Sequence, residues 1–205
     1  MPSRELAPTR IALLELSEER ATAREGYALL DEKRMLLATR MLALLARHAE
    51  ACTRWKAALA TAETALAAAF DRHGVHDLEL RPRGEAGPAP RVRETRVLGV
   101  ALPEVEARPA EASHAVQPPL DDSPEAQGAA AAFRALLAMA PALAAFECAL
   151  WRLADEYRRT ERRAGAIEHL LLPELERDIA EVEAGLEAID QEEAQRVRRA
   201  RHGAA

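Results

Sequence analysis

The chain has 205 residues, of which 49% are hydrophobic but only 3% aromatic, and 30% are charged. Alanine and leucine supply most of the apolar fraction, so the composition is typical of long helices or coiled coils and argues against β-sandwiches. The net charge of −6 and the scarcity of aromatic rings argue against a nucleic-acid binder.

The cysteines and the most apolar stretch favour a cytoplasmic protein without direct membrane insertion. Cys52 and Cys148 lie far apart without CxxC spacing, which predicts two buried thiols in a reducing compartment, neither a zinc site nor a disulfide. The N-terminus has no signal-peptide pattern. Gly128–Phe146 contains Arg134 and Pro141 and has too short an uncharged run for a membrane span, so we expect a helix that packs on another helix.

The first segment, residues 9–73, has the pattern of one long coiled-coil helix. Pro8-Thr9 is a typical helix start, with Thr9 as N-cap, and His73-Gly74 is a typical end. A heptad seam runs between them over more than the three or four repeats that mark a coiled coil. Its members are Leu13, Leu16, Arg20, Ala23, Tyr27, Leu30, Arg34, Leu37, Met41, Leu44, His48, Ala51, Trp55, Ala58 and Ala62.

The middle segment, residues 74–123, is predicted to be a small β-hairpin and loop region. Asp77–Arg81 and Arg91–Val97 show short apolar alternation on either side of the turn-rich Pro82–Pro90, as two paired strands would. Val97–Pro103 is a candidate for a further extended piece. Glu104–Pro119 has too little periodicity to assign and is predicted to be a loop.

The last segment, residues 124–201, is predicted to be a second coiled-coil helix. Its seam comprises Leu143, Phe146, Leu150, Leu153, Tyr157, Thr160, Ala164, Ile167 and Leu171, then Leu175, Ile179, Val182, Leu186 and Ile189. The phase slips after Leu171, which we interpret as a four-residue stutter that locally unwinds a supercoil. Pro173 lies at the slip and should bend the helix, because it removes one backbone hydrogen bond.

Two similar arms and a shorter middle predict an all-α-dominated fold, organised as one elongated unit over residues 1–205. The expected architecture is a long antiparallel two-helix coiled-coil hairpin with a small central β-hairpin and loop region. The expected register pairs Phe70 with Phe133, Cys52 with Trp151, and Trp55 with Cys148. It also brings residues 9–16 against residues near 190, so that both chain ends meet at one tip.

No catalytic, cofactor-binding or metal site is predicted, because the chain has no GxxxxGKS/T, GxGxxG, GxSxG or HExxH motif. His73 and His76 sit at a helix end without an identifiable third ligand. Glu168 and His169 point about 100° apart on a helix, which favours a surface or packing role. The arginines of residues 196–201 could contact an acidic partner or simply stabilise the helix C-terminus.

Three stretches carry a family resemblance. The first runs from Pro8-Thr9-Arg10 to Lys33-Arg34, and Leu98–Pro103 is similar to a short Gly-Val-x-x-Pro segment. The most specific stretch comprises Leu150–Glu156, Arg159-Thr160, Arg162-Arg163 and Ala166–Glu176. Together they resemble the D subunit of V-type and archaeal-type rotary ATPases. The chain departs from that pattern at Gly165, where the family usually has Asn.

The resemblance implies a non-catalytic rotor shaft that couples ATP synthesis or hydrolysis to H⁺ or Na⁺ movement, in the cytoplasm and peripheral to the cell membrane. Its implied partners are a hexamer of catalytic A-type and B-type subunits, the F subunit of the central stalk, and a socket subunit leading to the membrane rotor ring. On this basis we expect the hexamer-facing tip to contain Thr9, Arg10, Leu13, Ile189, Arg196, Arg198, Arg199 and Arg201. A helix bend is expected at Gly165 and Pro173.

The alternative is a generic cytoplasmic coiled-coil adaptor or scaffold, which would share the hairpin but not the rotary partners. Co-purification with the F subunit and the catalytic ring distinguishes the two hypotheses.

Overall fold

The computed structural model describes residues 7–79, 90–105 and 123–203. In chain order its elements are helix α1 (Arg10–Glu79), strands β1 (Val92–Val97) and β2 (Val100–Val105), helix α2 (Pro124–Ala166), a π-helical turn (Ile167–Leu171) and helix α3 (Leu172–Gly203). The predicted fold class, dominated by long helices with a small β-hairpin between them, is confirmed.

The chain divides into two compact units. The terminal unit combines the chain up to Leu36 with the chain from Tyr157 onwards, and the central unit comprises Leu37–Glu156. The predicted single unit over residues 1–205 stays a prediction.

In each unit, α1 pairs with the C-terminal helices in antiparallel fashion, since residue numbers fall on one helix as they rise on the other. In the central unit, His48 contacts Glu147 and Arg72 contacts Glu125. In the terminal unit, Arg24 contacts Glu176.

The predicted seams are the buried surfaces of both units. In the terminal unit, Leu16 and Ala23 of α1 form one core cluster with Leu175, Ile179 and Val182 of α3. In the central unit, the buried apolar side chains are Leu37, Leu44, Ala62 and Ala69 of α1, Ala129, Leu136, Ala149 and Leu153 of α2, and Leu102 of β2. Most of these helical residues lie on the predicted seams or their heptad continuations, and Ala149, which lies between the predicted Phe146 and Leu150, is the exception.

The predicted register of the two arms is wrong by about one heptad. His48 Nε2 lies 3.4 Å from Glu147 Oε1, whereas the expected alignment placed it opposite Asp155. The same shift removes the expected pairs of Cys52 with Trp151 and of Trp55 with Cys148. In the terminal unit, Leu16 packs near residues 179–182 and not near 190. A seven-residue shift leaves apolar side chains opposite apolar side chains, so periodicity alone does not fix it.

The β-hairpin uses a different strand pair from the one predicted. Strand β1 pairs antiparallel with β2, from Val92 opposite Val105 to Val97 opposite Val100. Leu98 and Gly99 form the two-residue turn with φ of 53° and 85°, the positive values that tight hairpins require. The prediction of a strand at Asp77–Arg81 is wrong, because residues 77–79 are helical. Residues 80–89, which include most of the expected turn, and residues 106–122, which include most of the expected loop Glu104–Pro119, lie outside the described residues.

The helix ends follow local sequence signals. The Ala12 N–H donates to Thr9 Oγ1 at 3.1 Å, which confirms Thr9 as the N-cap of α1. Gly74 has φ 74° and ψ 163° and interrupts α1 where its end was predicted, with five more helical residues beyond it. Ser123 caps α2, since its Oγ accepts the Ala126 N–H at 3.2 Å.

The phase slip in the second arm takes the form of the π-turn, and the expected four-residue stutter is corrected accordingly. Beyond Leu171 the seam reads Leu175, Ile179 and Val182, one residue later than a continuous heptad would place it. The Leu172 N–H donates to the Ile167 carbonyl, five residues back, so the turn takes up the additional residue. The predicted bend at Gly165 and Pro173 stays a prediction, with the π-turn lying between the two residues.

Two predictions about surface chemistry have different outcomes. Cys52 is half-buried but Cys148 is exposed, so the expectation of two buried thiols is wrong for Cys148. The helical run Pro124–His202 contains a stretch of 18 residues that by length and composition alone would suit a membrane span, and 11% of that stretch is buried. Within α2, Ala129 and Leu136 are buried, as expected for a helix that packs on a helix.

Two helical glycines should respond oppositely to alanine. A β-carbon on Gly165 would meet only the His169 side chain, at 3.9 Å, so Gly165→Ala should raise the free energy of unfolding by about 1 kcal/mol through helix propensity. A β-carbon on Gly185 would lie 2.7 Å from Pro8 Cβ, so Gly185→Ala must displace Pro8 and should give no such gain. Urea unfolding followed by circular dichroism measures both. A less stable Gly165→Ala variant would contradict the open environment of that residue.

Candidate functional site

Arg152 of α2 holds the β-hairpin against the helices of the central unit. One guanidinium nitrogen, Nη1, donates to Glu94 Oε1 at 3.0 Å and to the Ala101 carbonyl at 2.7 Å. The hydrogen bond with Glu94 and the neighbouring Cys148 raise the pKa of Arg152 above its ordinary value. An isolated two-stranded hairpin is marginally stable in water, so Arg152 and the buried Leu102 fix its position.

An apolar groove of about 460 Å³ opens between α1 and α2 in the central unit. It is lined by Met41, Leu42, Leu45 and His48 of α1 and by Glu147, Leu150, Trp151 and Ala154 of α2. Trp151 is 71% exposed and Leu42 69%, although both are large apolar side chains. Exposed apolar surface of this kind, rimmed by polar groups, marks interaction sites.

His48 and Glu147 form the polar rim of the groove. His48 Nε2 lies 3.4 Å from Glu147 Oε1 and 3.5 Å from the Cys52 sulfur. Among the residues that the structure describes, no group of three or more His, Cys, Asp or Glu side chains could hold a metal ion.

A second polar cluster joins the end of α1 to the start of α2. His73 Nε2 lies 2.6 Å from Ser123 Oγ, and His73 Nδ1 lies 3.2 Å from Asp77 Oδ2. Arg72 Nη1 donates to Glu125 Oε1 at 2.9 Å. A hydrogen bond with its own backbone N–H and the charge of Arg72 lower the pKa of Glu125. His73, considered above with His76 as a metal ligand, here contacts Ser123 and Asp77 at the helix ends.

In the terminal unit, Tyr27 and Glu168 link α1 to the π-turn. Burial, followed by the charge of Glu168 and a hydrogen bond with it, raises the pKa of the Tyr27 hydroxyl. Asp31 Oδ1 accepts a hydrogen bond from Arg34 Nη2 at 2.6 Å on the same face of α1. Glu168 and His169, expected to point apart, approach to 3.8 Å, and both are exposed.

The residues expected at the tip occupy two different environments. Thr9 caps α1, and Leu13 packs against the core cluster of the terminal unit. Every side chain from Glu187 to His202 is exposed, which includes Ile189, Arg196, Arg198, Arg199 and Arg201. Arg196 pairs with Glu192 of the same helix at 3.3 Å. Because Pro8 lies against Gly185, the last turns of α3 extend beyond the start of α1.

Sequence reasoning missed the groove and the Arg152 contact. One signal was available for the groove: Trp151 lies next to the seam residue Leu150, on a face that a two-helix coil leaves exposed. No sequence signal indicated that Arg152 contacts Glu94, because the two residues are distant in the chain and the strand pairing was predicted wrongly.

Comparison with known proteins shows a match over nearly the whole chain to one class, subunits of ATP synthases. A family model for the D subunit of ATP synthase matches residues 12–202. The V-type ATP synthase D subunit of Anaeromyxobacter dehalogenans is 36% identical over 202 residues, covering 96% of both chains. The A-type ATP synthase D subunit of Methanopyrus kandleri is 31% identical over 195 residues, 94% of this chain and 84% of that one. The V-type D subunit of Thermotoga neapolitana is 26% identical over 200 residues, covering 95% of this chain and 96% of that one.

The chain therefore belongs to the family of ATP synthase D subunits. It is a subunit of a V-type or A-type ATPase complex, which is membrane-associated and works in ATP synthesis and ion transport. The resemblance found in the sequence is confirmed at the level of the family.

Removing the Arg152 side chain should loosen the hairpin without unfolding the helices. In Arg152→Ala, we expect the amides of β1 and β2 to exchange about tenfold faster, equivalent to roughly 1.4 kcal/mol, which lies within the usual net contribution of one hydrogen bond. Hydrogen exchange with mass spectrometry measures this, and Arg158→Ala, an exposed arginine of the same helix, is the control. Unchanged hairpin exchange would show that Leu102 alone holds the strands.

The Tyr27 hydroxyl should titrate above its ordinary pKa of about 10. Tyr157→Phe leaves Tyr27 as the only tyrosine, so phenolate absorbance against pH reports it alone. Because the folded-state pKa is raised, the associated stability is present below the unfolded pKa and is lost as the pH rises through the folded value. Adding Glu168→Gln should lower the midpoint, whereas Glu25→Gln should not. A midpoint unaffected by Glu168→Gln contradicts the Tyr27–Glu168 contact.

Proposed function

We propose that this chain is the non-catalytic central shaft of its ATPase complex. In this role it couples ATP synthesis or hydrolysis in a hexamer of A-type and B-type subunits to the movement of H⁺ or Na⁺. It works in the cytoplasm, peripheral to the membrane, and reaches the membrane rotor ring through a socket subunit.

The observation that carries the proposal is the exposed end of α3. All side chains from Glu187 to His202 are exposed, and Pro8, just before the start of α1, lies against Gly185. A helix of this polarity gains little from packing on its own chain, because helix stability in proteins comes mainly from tertiary contacts of an apolar face. In this proposal a surrounding ring of subunits contacts the end of α3, and the arginines of residues 196–201 provide charged groups for those contacts.

The difference between the two arms of the terminal unit supports a rotary role. Within this unit α1 is α-helical from Arg10 to Leu36, whereas the opposing arm contains the π-turn and Pro173. A shaft that acts on several copies of one subunit in turn must present unlike faces to them. A symmetric pair of helices would favour no orientation.

We assign the groove of the central unit to the F subunit of the central stalk. Trp151, Leu42 and Leu45 are exposed there beside a hairpin that Arg152 holds in place. Tryptophan is prominent among the residues that dominate binding energy at protein interfaces. The adaptor hypothesis also uses this groove, but it requires neither the F subunit nor the catalytic hexamer.

Removing residues 195–205 tests the shaft assignment. No described side chain of that segment is buried, so the shortened chain should keep its helicity and melting temperature. In the reconstituted complex, ATP-driven ion pumping should fall several-fold, while the hexamer alone still hydrolyses ATP. Contacts along a rotating shaft are many and individually weak, so Arg199→Ala alone should have little effect.

Two results would contradict the assignment. Unchanged coupled pumping by the shortened chain would mean that the end of α3 transmits nothing. Failure of the full-length chain to co-purify with the hexamer and the F subunit would favour the adaptor hypothesis.

A further inference from the structure

Three side chains at the polar end of the groove are arranged as a nucleophile, a base and a carboxylate. The Cys52 sulfur lies 3.5 Å from His48 Nε2 and 3.9 Å from His48 Nδ1, and Nε2 lies 3.4 Å from Glu147 Oε1. In the tautomer whose Nε2–H donates to Glu147, Nδ1 keeps a lone pair within reach of the thiol. A thiol beside a histidine that a third group orients is the pattern by which thiol nucleophiles are activated.

The groove supplies a binding site next to this thiol. His48 and Glu147 belong to its lining, and the other lining residues are apolar. Its volume of about 460 Å³ is that of a small-molecule site. A molecule with its reactive end at Cys52 would lay its remaining length along Leu45, Trp151 and Leu42. Each methylene group that it buries there adds to its affinity, so the groove favours a reagent with an apolar tail.

We propose that Cys52 is a modification site for α,β-unsaturated aldehydes that carry an apolar tail. The groove binds the tail, His48 accepts the thiol proton, and Glu147 positions His48. The proposal goes beyond the shaft function and does not depend on it, because the thiol, the histidine, the carboxylate and the groove all belong to this chain. An adduct at Cys52 competes with any other occupant of the groove.

The reaction is an addition in which every atom of both reactants is kept. The thiol proton passes to His48, and an electron pair of the sulfur forms a bond to the β-carbon of the aldehyde. The π-electron pair of the carbon–carbon double bond moves to the α-carbon, which then takes the proton from His48. The product is a thioether with a saturated aldehyde, and no oxidant or reductant is consumed.

The second cysteine provides an internal comparison. Cys148 is exposed, and its neighbour Arg152 is a guanidinium, which stays protonated and cannot accept the thiol proton. Because the chain has two cysteines, Cys148→Ser leaves Cys52 as the single thiol and Cys52→Ser leaves Cys148.

The tail is tested with two aldehydes that share the reacting group, crotonaldehyde and nonenal. With the full chain at neutral pH, mass spectrometry of the adduct should show Cys52 reacting about tenfold faster with nonenal. Cys148 should react with both at similar rates. Trp151→Ala should reduce the preference of Cys52 for nonenal several-fold. Leu137→Ala, which changes an exposed leucine of α2 outside the groove, should preserve it.

The base is tested by His48→Gln in the chain whose single thiol is Cys52. The rate with both aldehydes should fall about tenfold, which is modest for the loss of a general base. Glu147→Gln should lower the rate less, because the histidine remains. His169→Gln, which changes an exposed histidine of the terminal unit, is the matched control and should leave the rate unchanged.

The outcomes decide the inference without reference to the rotary complex. Equal rates for Cys52 with and without His48 would overturn it, and so would the absence of a preference for nonenal at Cys52. Circular dichroism shows whether each variant is folded. If His48→Gln does not fold, Glu147→Gln decides: a slower reaction supports the site, and an unchanged rate overturns it. Assembly with the hexamer and the F subunit is a separate measurement that bears only on the shaft function.

Discussion

The two-helix apolar seam is the constraint on which the rest of this molecule depends. A single seam buries only the residues at its repeating positions, so every other side chain of α1, α2 and α3 is left for solvent or partners. Leu37 and Leu153 lie fully within it, whereas Trp151, two residues from Leu153, is mostly exposed. A compact globule would bury such a tryptophan. Here the slender core itself creates the interaction surfaces, including the apolar groove of the central unit.

The same seam explains why local irregularities take the form they do. Leu175, Ile179 and Val182 must face α1, and one additional residue in the helix would turn them away by about 100°. The π-turn takes up that residue and keeps the three side chains buried. Pro173 fits directly after the turn, where regular winding has already been broken. The π-turn interrupts the heptad pattern of the coiled coil, but it keeps the core intact and leaves Glu168 and Leu170 exposed.

Polar contacts fix the positions of elements that the apolar seam does not itself determine. Arg152 fixes the hairpin through Glu94 and a backbone carbonyl, and His73 with Ser123 ties the end of α1 to the start of α2. Each contact involves an exposed or half-exposed group and is individually modest. Their importance lies in selecting one arrangement among several that bury the same apolar area. A single fixed arrangement of surface groups is also what we expect of a protein whose partners bind that surface.

The sequence by itself determined the helix class, the buried faces, the Thr9 cap and the helix interruption at Gly74, because these follow from periodicity and local backbone chemistry. The family was also readable, from the block around Arg162-Arg163 and Ala166–Glu176. Only the tertiary structure decided the register, since a heptad pattern matches itself after a shift of seven residues. In the observed register His48 contacts Glu147. It likewise decided the pairing of β1 with β2, the Arg152–Glu94 contact and the π-turn. The strand pairing and the Arg152–Glu94 contact depend on residues that are far apart in the chain but close in space. The π-turn depends on which side chains of the second arm must face α1.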